Sequence, residues 1–355
     1  MANVLDLRRR IRSVKNTRQI TKAMKMVAAA KLRRSQERAF AARPYARMIS
    51  SVLASLVRRV DIYDQDTGEA KHPLLIARPE KRVTVVVVTG DKGFAGPFNA
   101  NVLKATHRFI DEQSQLDVDL EIVGRKGIGV LRRSYSMASI AGDEHPAPSS
   151  RTRTRQARVE ITGEHGGMLD KLTFEKAAEL AHTLVDRYAT RETDAVYLVF
   201  NEFQSVIAQR IVVERILPIV EVGKPDIAGV TEMEREEREE MARAAHSAGV
   251  SLQAEDTSQA DEEASKFGTA QVDYIYEQPP SELMGALLPR YISTQLYHAM
   301  LESVAAEQAA RMTAMDAATN NASDMIDAYT LTMNRLRQAA ITKEIIEIVS
   351  GAAAI

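Results

Sequence analysis

The chain has 355 residues, of which 45% are hydrophobic and 27% charged, so it can form a full core with extended helices. It contains no cysteine, which excludes disulfides, thiolate catalysis and cysteine-based metal sites. It also has no apolar run of 18 residues and no signal-peptide core, so we expect a soluble chain in a reducing compartment, linked to membranes only through partners.

The net charge of −1 conceals a strongly uneven distribution of charged residues along the chain. Residues 1–59 hold sixteen Lys or Arg residues and only two acidic residues, Asp6 and Glu37. Residues 221–263 hold thirteen acidic and four basic residues. A helix as basic as the first segment either lies on a polyanion or runs along an acidic protein surface.

Residues 1–60 are predicted to form the first helix of a coiled coil. The segment has no glycine, and Leu7, Ile11 and Val14 begin an apolar stripe in steps of four and three. The stripe continues on a shifted line, so the coiled coil is imperfect. Pro44 is expected to kink or end the helix, although the residues after it still favour helix.

Residues 75–222 are predicted to form an α/β domain in which strands and helices alternate. The strands are expected at 82–90, 118–124, 195–203 and 209–219. The helices are expected at 98–113, 126–134 and 174–190, and a loop at 141–156. The alternation indicates a mostly parallel, doubly wound sheet whose last two strands are antiparallel. An acidic insertion follows at 223–270, with one predicted helix at 232–245.

No active site can be argued from the residues of this domain. Gly90, Gly93 and Gly96 follow the first strand, but their spacing matches neither G-x-G-x-x-G nor the P-loop. Pro97 also has no N–H to offer a phosphate, so the pattern favours a tight strand-to-helix turn. The seven histidines lack the spacing of metal ligands. We therefore predict no catalytic residue, no cofactor and no metal site.

Residues 281–355 are predicted to form a second long helix. The stretch 291–350 has neither glycine nor proline, and as a helix it would be a rod of about 90 Å. Its apolar stripe follows strict coiled-coil steps of three and four, so another helix has to cover it. We expect it to pair antiparallel with the N-terminal helix. The stripe comprises Met312, Met315, Thr319, Ala322, Ile326, Tyr329, Met333, Leu336 and Ala340.

Four stretches resemble the gamma subunit of the F-type ATP synthase. They are RRRIRSVKNTRQITKAMKMVAAAKLRRSQ at 8–36, TGDKGFAGPFNANV at 89–102, EQPPSELMGALLPRYISTQLYHAMLES at 277–303 and EQAARMTAMDAATNNASDMIDAYTLTMNRLRQAAITKEIIEIVSGAAAI at 307–355. The similarity covers nearly the whole chain, and the terminal motifs are far more specific than a generic coiled coil. The resemblance implies an α/β fold with a long antiparallel coiled coil of the N- and C-terminal helices plus a Rossmann-like globular domain.

The resemblance implies the central rotor shaft of an ATP synthase. In this family the paired helices turn inside a ring of alpha and beta subunits, and the globular domain rests with the epsilon subunit on the membrane c ring. Proton flow turns the ring, and the asymmetric shaft drives the beta subunits through their binding states. The catalytic sites belong to the alpha and beta subunits. The chain would then be a non-catalytic peripheral membrane protein at the cytoplasmic face of the bacterial plasma membrane.

Three groups of residues acquire roles from the resemblance. One group would contact the beta subunits, whose acidic loop faces the shaft: Lys22, Met24, Lys25, Arg337, Gln338, Thr342 and Glu344. A second group, the apolar tip, would turn inside the surrounding subunits: Ile345, Ile348, Val349 and Ile355. The third group is the coiled-coil seam that would carry torque: Met312, Met315, Ala322, Ile326, Tyr329, Met333 and Leu336.

The insertion at 223–270 lies where chloroplast and cyanobacterial relatives carry a regulatory insert. Because this chain has no cysteine, the redox switch of the chloroplast relatives is impossible here. Two interpretations stay open. The insert decorates the globular end, or its acidic helix docks on a basic surface and slows ATP hydrolysis.

Two other classes of protein compete with this interpretation. A basic coiled-coil nucleic-acid-binding protein would explain the charge of residues 1–59 but not the C-terminal helix with its apolar end. The first sixty residues also offer only Phe40 and Tyr45 for base stacking. A Rossmann-type enzyme with coiled-coil arms would bind nucleotides through its middle domain.

Overall fold

The computed structural model describes residues 4–59, 72–138, 155–206, 208–219 and 278–352. Two long helices, α1 (Val4–Arg59) and α5 (Pro280–Ala352), come first and last in the described chain. Between them lie three helices: α2 (Phe98–Glu112), α3 (Arg125–Ser134) and α4 (Phe174–Ala189). Six strands alternate with these helices: β1 (Arg82–Val88), β2 (Asp117–Val123), β3 (Ser136–Met137), β4 (Val159–His165), β5 (Ala195–Phe203) and β6 (Gln209–Leu217). The predicted fold class is confirmed.

The six strands form one sheet in the order β3-β4-β2-β1-β5-β6. Strand β1 is parallel to both β2 and β5, and β2 is parallel to β4. Strands β5 and β6 are antiparallel, as predicted. Six of the seven residues of β1 are buried, which explains why a continuous β-branched run signalled it.

The helices differ from the prediction at Pro44. α1 continues through Pro44, so the expected end of the helix is wrong. Ala46, Ile49 and Leu53 after the proline are buried, and their packing outweighs the cost of about 3 kcal/mol that proline imposes on a helix interior. α5 begins at Pro280, within one residue of the predicted start at 281, and contains Pro289.

Two apolar cores lie on opposite faces of the sheet. One core joins strand residues to α4 and to both long helices, through residues such as Leu53, Tyr188 and Leu288. The other core joins the strands to α2 and α3, through residues such as Phe109 and Leu131. Because the first core contains both α1 and α5, one end of the helical pair is packed into the domain.

Strand β4 was not predicted, because its sequence, VEITGEH, contains two glutamates, which are depleted in strands. Glu160 is fully buried, and its carboxylate accepts hydrogen bonds from the main-chain N–H groups of Gln156 and Ala157. A buried carboxylate is tolerated where such donors satisfy it. No local periodicity reveals that arrangement.

A buried ionic cluster ties β2 to α4. Arg187 Nη2 lies 2.5 Å from Asp119 Oδ2, and Arg187 Nη1 lies 3.1 Å from Glu121 Oε1. Burial alone would raise the pKa of Glu121, but hydrogen bonds from His165 and Thr162 and the charge of Arg187 outweigh it, so the pKa is lowered. Glu121 is therefore a buried carboxylate that depends on these partners.

Replacing Arg187 by Met should lower the free energy of unfolding by about 3–5 kcal/mol, because Asp119 and Glu121 lose the cation that they share. Urea unfolding of the purified chain, followed by circular dichroism, measures the change. The matched control is Arg108→Met, which removes an exposed ion pair with Glu112 and should cost at most about 1 kcal/mol. Equal losses of unfolding free energy in the two variants would show that the buried cluster stabilises the fold no more than an exposed ion pair does.

Candidate functional site: the surface of the helical pair

Two polar contacts join α1 to α5. Lys25 Nζ donates to Asp316 Oδ1 at 2.7 Å, and Thr319 Oγ1 donates to Thr21 Oγ1 at 2.8 Å. In both contacts the two residue numbers add up to 340 or 341, so the helices run antiparallel with a constant register.

The buried apolar residues follow the same register along the helical pair. Residues whose numbers add up to 340 or 341 belong to the same buried apolar clusters: Ala28 and Met312, Leu32 and Ala309, Ile49 and Ile292, Leu53 and Leu288, and Leu56 and Met284. The two helices therefore stay in step from the globular domain outward.

The predicted seam becomes steadily more exposed toward the C-terminus. Met312, Met315, Ala322 and Ile326 are buried. Tyr329, Met333 and Leu336 are only half-buried. The register places Val4, the first described residue of α1, opposite Leu336. Beyond that point the described part of α1 offers no partner, and residues 341–350 of α5 are all exposed.

The four polar residues predicted to contact a beta subunit lie on this exposed end of α5. Arg337, Gln338, Thr342 and Glu344 are all exposed. The hydroxyl of Thr342 donates to the main-chain oxygen of Gln338, so it stays within its own helix. The remaining side-chain groups are free to reach another chain.

The apolar tip is exposed as well. Ile345 is 55% exposed, Ile348 71% and Val349 62%, all within about one and a half turns of helix. Ile355 lies outside the described residues. Clustered exposed aliphatic side chains of this kind mark a surface that another protein covers.

On α1, the predicted contact residues divide into two groups. Lys22 is exposed and Met24 is half-buried. The side chain of Lys25 is only 10% exposed, because its ammonium faces Asp316 of α5. In this chain Lys25 therefore joins the two helices to each other, and its contact with another subunit stays a prediction.

A cavity that the sequence did not reveal lies beside Met24. It has a volume of about 600 Å³ and lies between α1, the loop after β1 and α5. Phe94 of that loop is 71% exposed at its edge and has a φ of 62°. Four cations also line the cavity: Lys31, Lys92, Lys126 and Arg311. In the sequence, the local feature that could have indicated this cavity was the phenylalanine within the glycine-rich turn.

The carboxyl edge of the sheet is where ligands bind in doubly wound folds. Here α5 crosses that edge, with Arg311 bonded to Gly93 after β1 and Glu302 bonded to Phe203 at the end of β5.

In the described ranges no group of three or more His, Asp or Glu side chains could hold a metal ion. No helix in the same ranges is long and apolar enough to cross a membrane.

The fold and these surfaces define a stalk protein: two helices project from an α/β domain and end in an uncovered apolar segment. A family model described as ATP synthase matches residues 3–355. The ATP synthase gamma chain of Solibacter usitatus is 43% identical over 100% of this chain and 99% of its own length. That of Desulfitobacterium hafniense is 38% identical over the full length of both chains. The chain belongs to the ATP synthase gamma chain family.

Solved structures show the same fold. A chain of the Tetrahymena thermophila mitochondrial ATP synthase, from its central stalk and c ring, has a TM-score of 0.51 at 22% identity, covering 84% of this chain and 99% of its own. A chain of the Euglena gracilis mitochondrial ATP synthase has a TM-score of 0.55 at 18% identity, covering 99% and 94%. None of these relatives supports the nucleic-acid-binding alternative.

A double-mutant cycle should reveal the coupling between Lys25 and Asp316. Lys25→Met and Asp316→Leu should each destabilise the chain, and the double variant should recover part of the loss, with a coupling energy of about 0.5–3 kcal/mol. Thermal unfolding of the four proteins measures it. Lys22→Met is the control, because Lys22 lies three residues away and is exposed. Strictly additive losses would mean that the ion pair does not stabilise the register.

Proposed function

We propose that this chain is the central rotor shaft of an F-type ATP synthase. The α1–α5 pair turns inside a ring of alpha and beta subunits, and the globular domain rests with the epsilon subunit on a proton-driven membrane c ring. One observation carries the proposal. The helical pair ends in a single exposed helix whose apolar tip is a surface of the kind that other proteins cover.

We assign a role to each of the four segments of the sequence. Residues 1–60 and 281–355 form the shaft, and residues 75–222 form the globular base that receives torque. Residues 223–270 are an acidic insertion whose role is either decoration or regulation of hydrolysis. The family membership and the antiparallel register support the assignments of the two shaft segments and of the globular base.

Weak charge pairs suit contacts between a rotor and its stator. The exposed cations of α1, including Lys22, offer partners to an acidic loop of a beta subunit. Each exposed pair stabilises a contact by only about 0–1 kcal/mol, so such pairs guide rotation without holding the shaft in one position. Arg337, Gln338, Thr342 and Glu344 would make comparable polar contacts nearer the tip.

Torque is proposed to pass through the seam between the two helices. The buried part of the seam, from Met312 to Ile326, packs against α1 beside the ion pair of Lys25. Apolar packing resists bending of the pair, and the polar contacts resist sliding of one helix along the other. The half-buried residues Tyr329, Met333 and Leu336 extend the seam toward the tip.

The chain is proposed to be non-catalytic by itself, with the catalytic sites on the partner subunits. It would be a peripheral protein at the cytoplasmic face of a bacterial plasma membrane. The occupied carboxyl edge of the sheet supports the first statement, because α5 lies where a nucleotide would bind.

Co-purification decides whether the chain is a rotor subunit. Tagged alpha and beta subunits of the same organism should retain this chain in a complex with stable ATPase activity. Omission of the chain should lower that activity. A complex that forms and hydrolyses ATP equally well without the chain would contradict the proposal.

Substitution of the polar residues near the tip tests their contacts. The triple variant Arg337→Ala, Gln338→Ala, Thr342→Ala should lower ATP hydrolysis by the assembled complex about two- to tenfold, because it removes several contacts of about 0–1 kcal/mol each. Its stability as a free chain should stay nearly unchanged, since all three residues are exposed. Lys104→Ala with Glu112→Ala, exposed on α2, is the control and should leave hydrolysis unaltered. Wild-type hydrolysis in the triple variant would contradict the assignment.

A further inference from the structure

Three charged side chains of α5 are buried where this helix crosses the carboxyl edge of the sheet. Glu302 is 5% exposed, Glu307 4% and Arg311 6%. Charged residues are almost never buried to this extent unless they are paired. The proposed contacts with other subunits do not use them, so they need a separate explanation.

Each of the three side chains bonds to the main chain at a strand end. Glu302 Oε2 accepts a hydrogen bond from the N–H of Phe203, at the end of β5, at 3.1 Å. Arg311 Nε donates to the main-chain oxygen of Gly93, in the turn after β1, at 3.1 Å. The carboxylate of Glu307 accepts the N–H of Lys92 in the same turn. Two neighbouring strands are thus bonded to one helix.

Further contacts hold these side chains in place. Arg311 Nη2 lies 2.5 Å from Glu307 Oε1, and Arg311 Nη1 lies 2.9 Å from Gln308 Oε1. Glu307 also approaches Gly90 so closely that a Cβ there would lie 2.7 Å from Oε1. Burial raises the pKa of Glu307, and the charge and hydrogen bond of Arg311 oppose that rise.

We infer that Glu302, Glu307 and Arg311 form the torsional joint that prevents α5 from turning relative to the sheet. Apolar packing has no preferred direction, so the alanine-rich contact around Ala305 and Ala309 would yield to rotation of the helix about its axis. Hydrogen bonds to main-chain atoms are directional, and those of charged groups are about twice as strong as neutral ones. This inference rests on the proposed rotor function, because only a rotor transmits torque across this contact.

The sequence spacing fits this role. The three residues span nine positions, about 14 Å of helix, so the bonded points are separated along the axis. Glu302 reaches β5, whereas Glu307 and Arg311 reach the turn after β1. Rotation of α5 about its axis would strain both sets of bonds, so the joint resists turning of the helix relative to the sheet.

Single-molecule rotation of the assembled complex tests the joint. The alpha–beta ring is fixed to a surface, a probe is attached to the globular domain, and the angular fluctuation is recorded while the rotor pauses. Arg311→Gln and Glu307→Gln, which remove charge but keep hydrogen-bonding capacity, should each widen the variance of the probe angle about twofold. Arg108→Gln, which removes an exposed ion pair on α2, should leave the variance unchanged.

The outcomes separate this inference from the proposed function. If the wild-type complex does not rotate, the rotor proposal fails. If the wild-type complex rotates and both variants assemble with unchanged angular variance, the inference of a torsional joint is wrong. Hydrogen exchange of the full-length chain covers the case of poor assembly: Glu302→Gln should speed exchange at the Phe203 amide at least severalfold, with protection in β2 retained. An unchanged Phe203 amide would also overturn the inference.

Discussion

The antiparallel packing of α1 against α5 is the contact on which the rest of the structure depends. A helix of 56 or 73 residues gains most of its stability from packing, because propensity alone makes isolated helices only marginally stable. The constant register brings the buried apolar residues of the two helices together along the pair. The same packing brings the first and last segments of the chain together, so the domain between them closes one end of the pair.

Polar groups in this structure divide according to whether they face their own chain or the solvent. Lys25 and Asp316 face each other inside the helical pair, and Arg187 joins the acidic residues of β2. The polar residues beyond Leu336 face outward and have few partners in the chain. Groups that fix the geometry of the fold therefore make directional bonds within the chain, whereas groups that would meet a moving partner are exposed and weakly bonded.

Local sequence pattern predicted the two long helices, the buried strand β1 and the antiparallel strands β5 and β6, because burial requires apolar residues in a periodic stripe or in a continuous run. It failed where stability comes from distant residues. α1 passes through Pro44 because residues of α5 cover the helix beyond it, and β4 tolerates Glu160 because two main-chain N–H groups satisfy its carboxylate.

For the candidate site, the exposed tip could be predicted, since aliphatic residues continue on α5 beyond the described part of α1. The inward orientation of Lys25 could not be predicted, because its partner lies 291 residues away along the chain. The inferred joint was hidden for the same reason. Glu302, Glu307 and Arg311 look like an ordinary charged stretch of helix until the fold places two strand ends beside them.

The carboxyl edge of this sheet also differs from the open crevice of other doubly wound domains. In such folds the crevice beyond the parallel strands is open, and loop N–H groups at its floor bind a ligand. Here the N–H groups of Lys92 and Phe203 are bonded to carboxylates of α5. A phosphate would have to displace these buried carboxylates from the same donors, and Glu307 lies against Gly90, where the chain would need to open. Main-chain N–H groups of the kind that bind an anion in other doubly wound folds are therefore bonded to the long helix here.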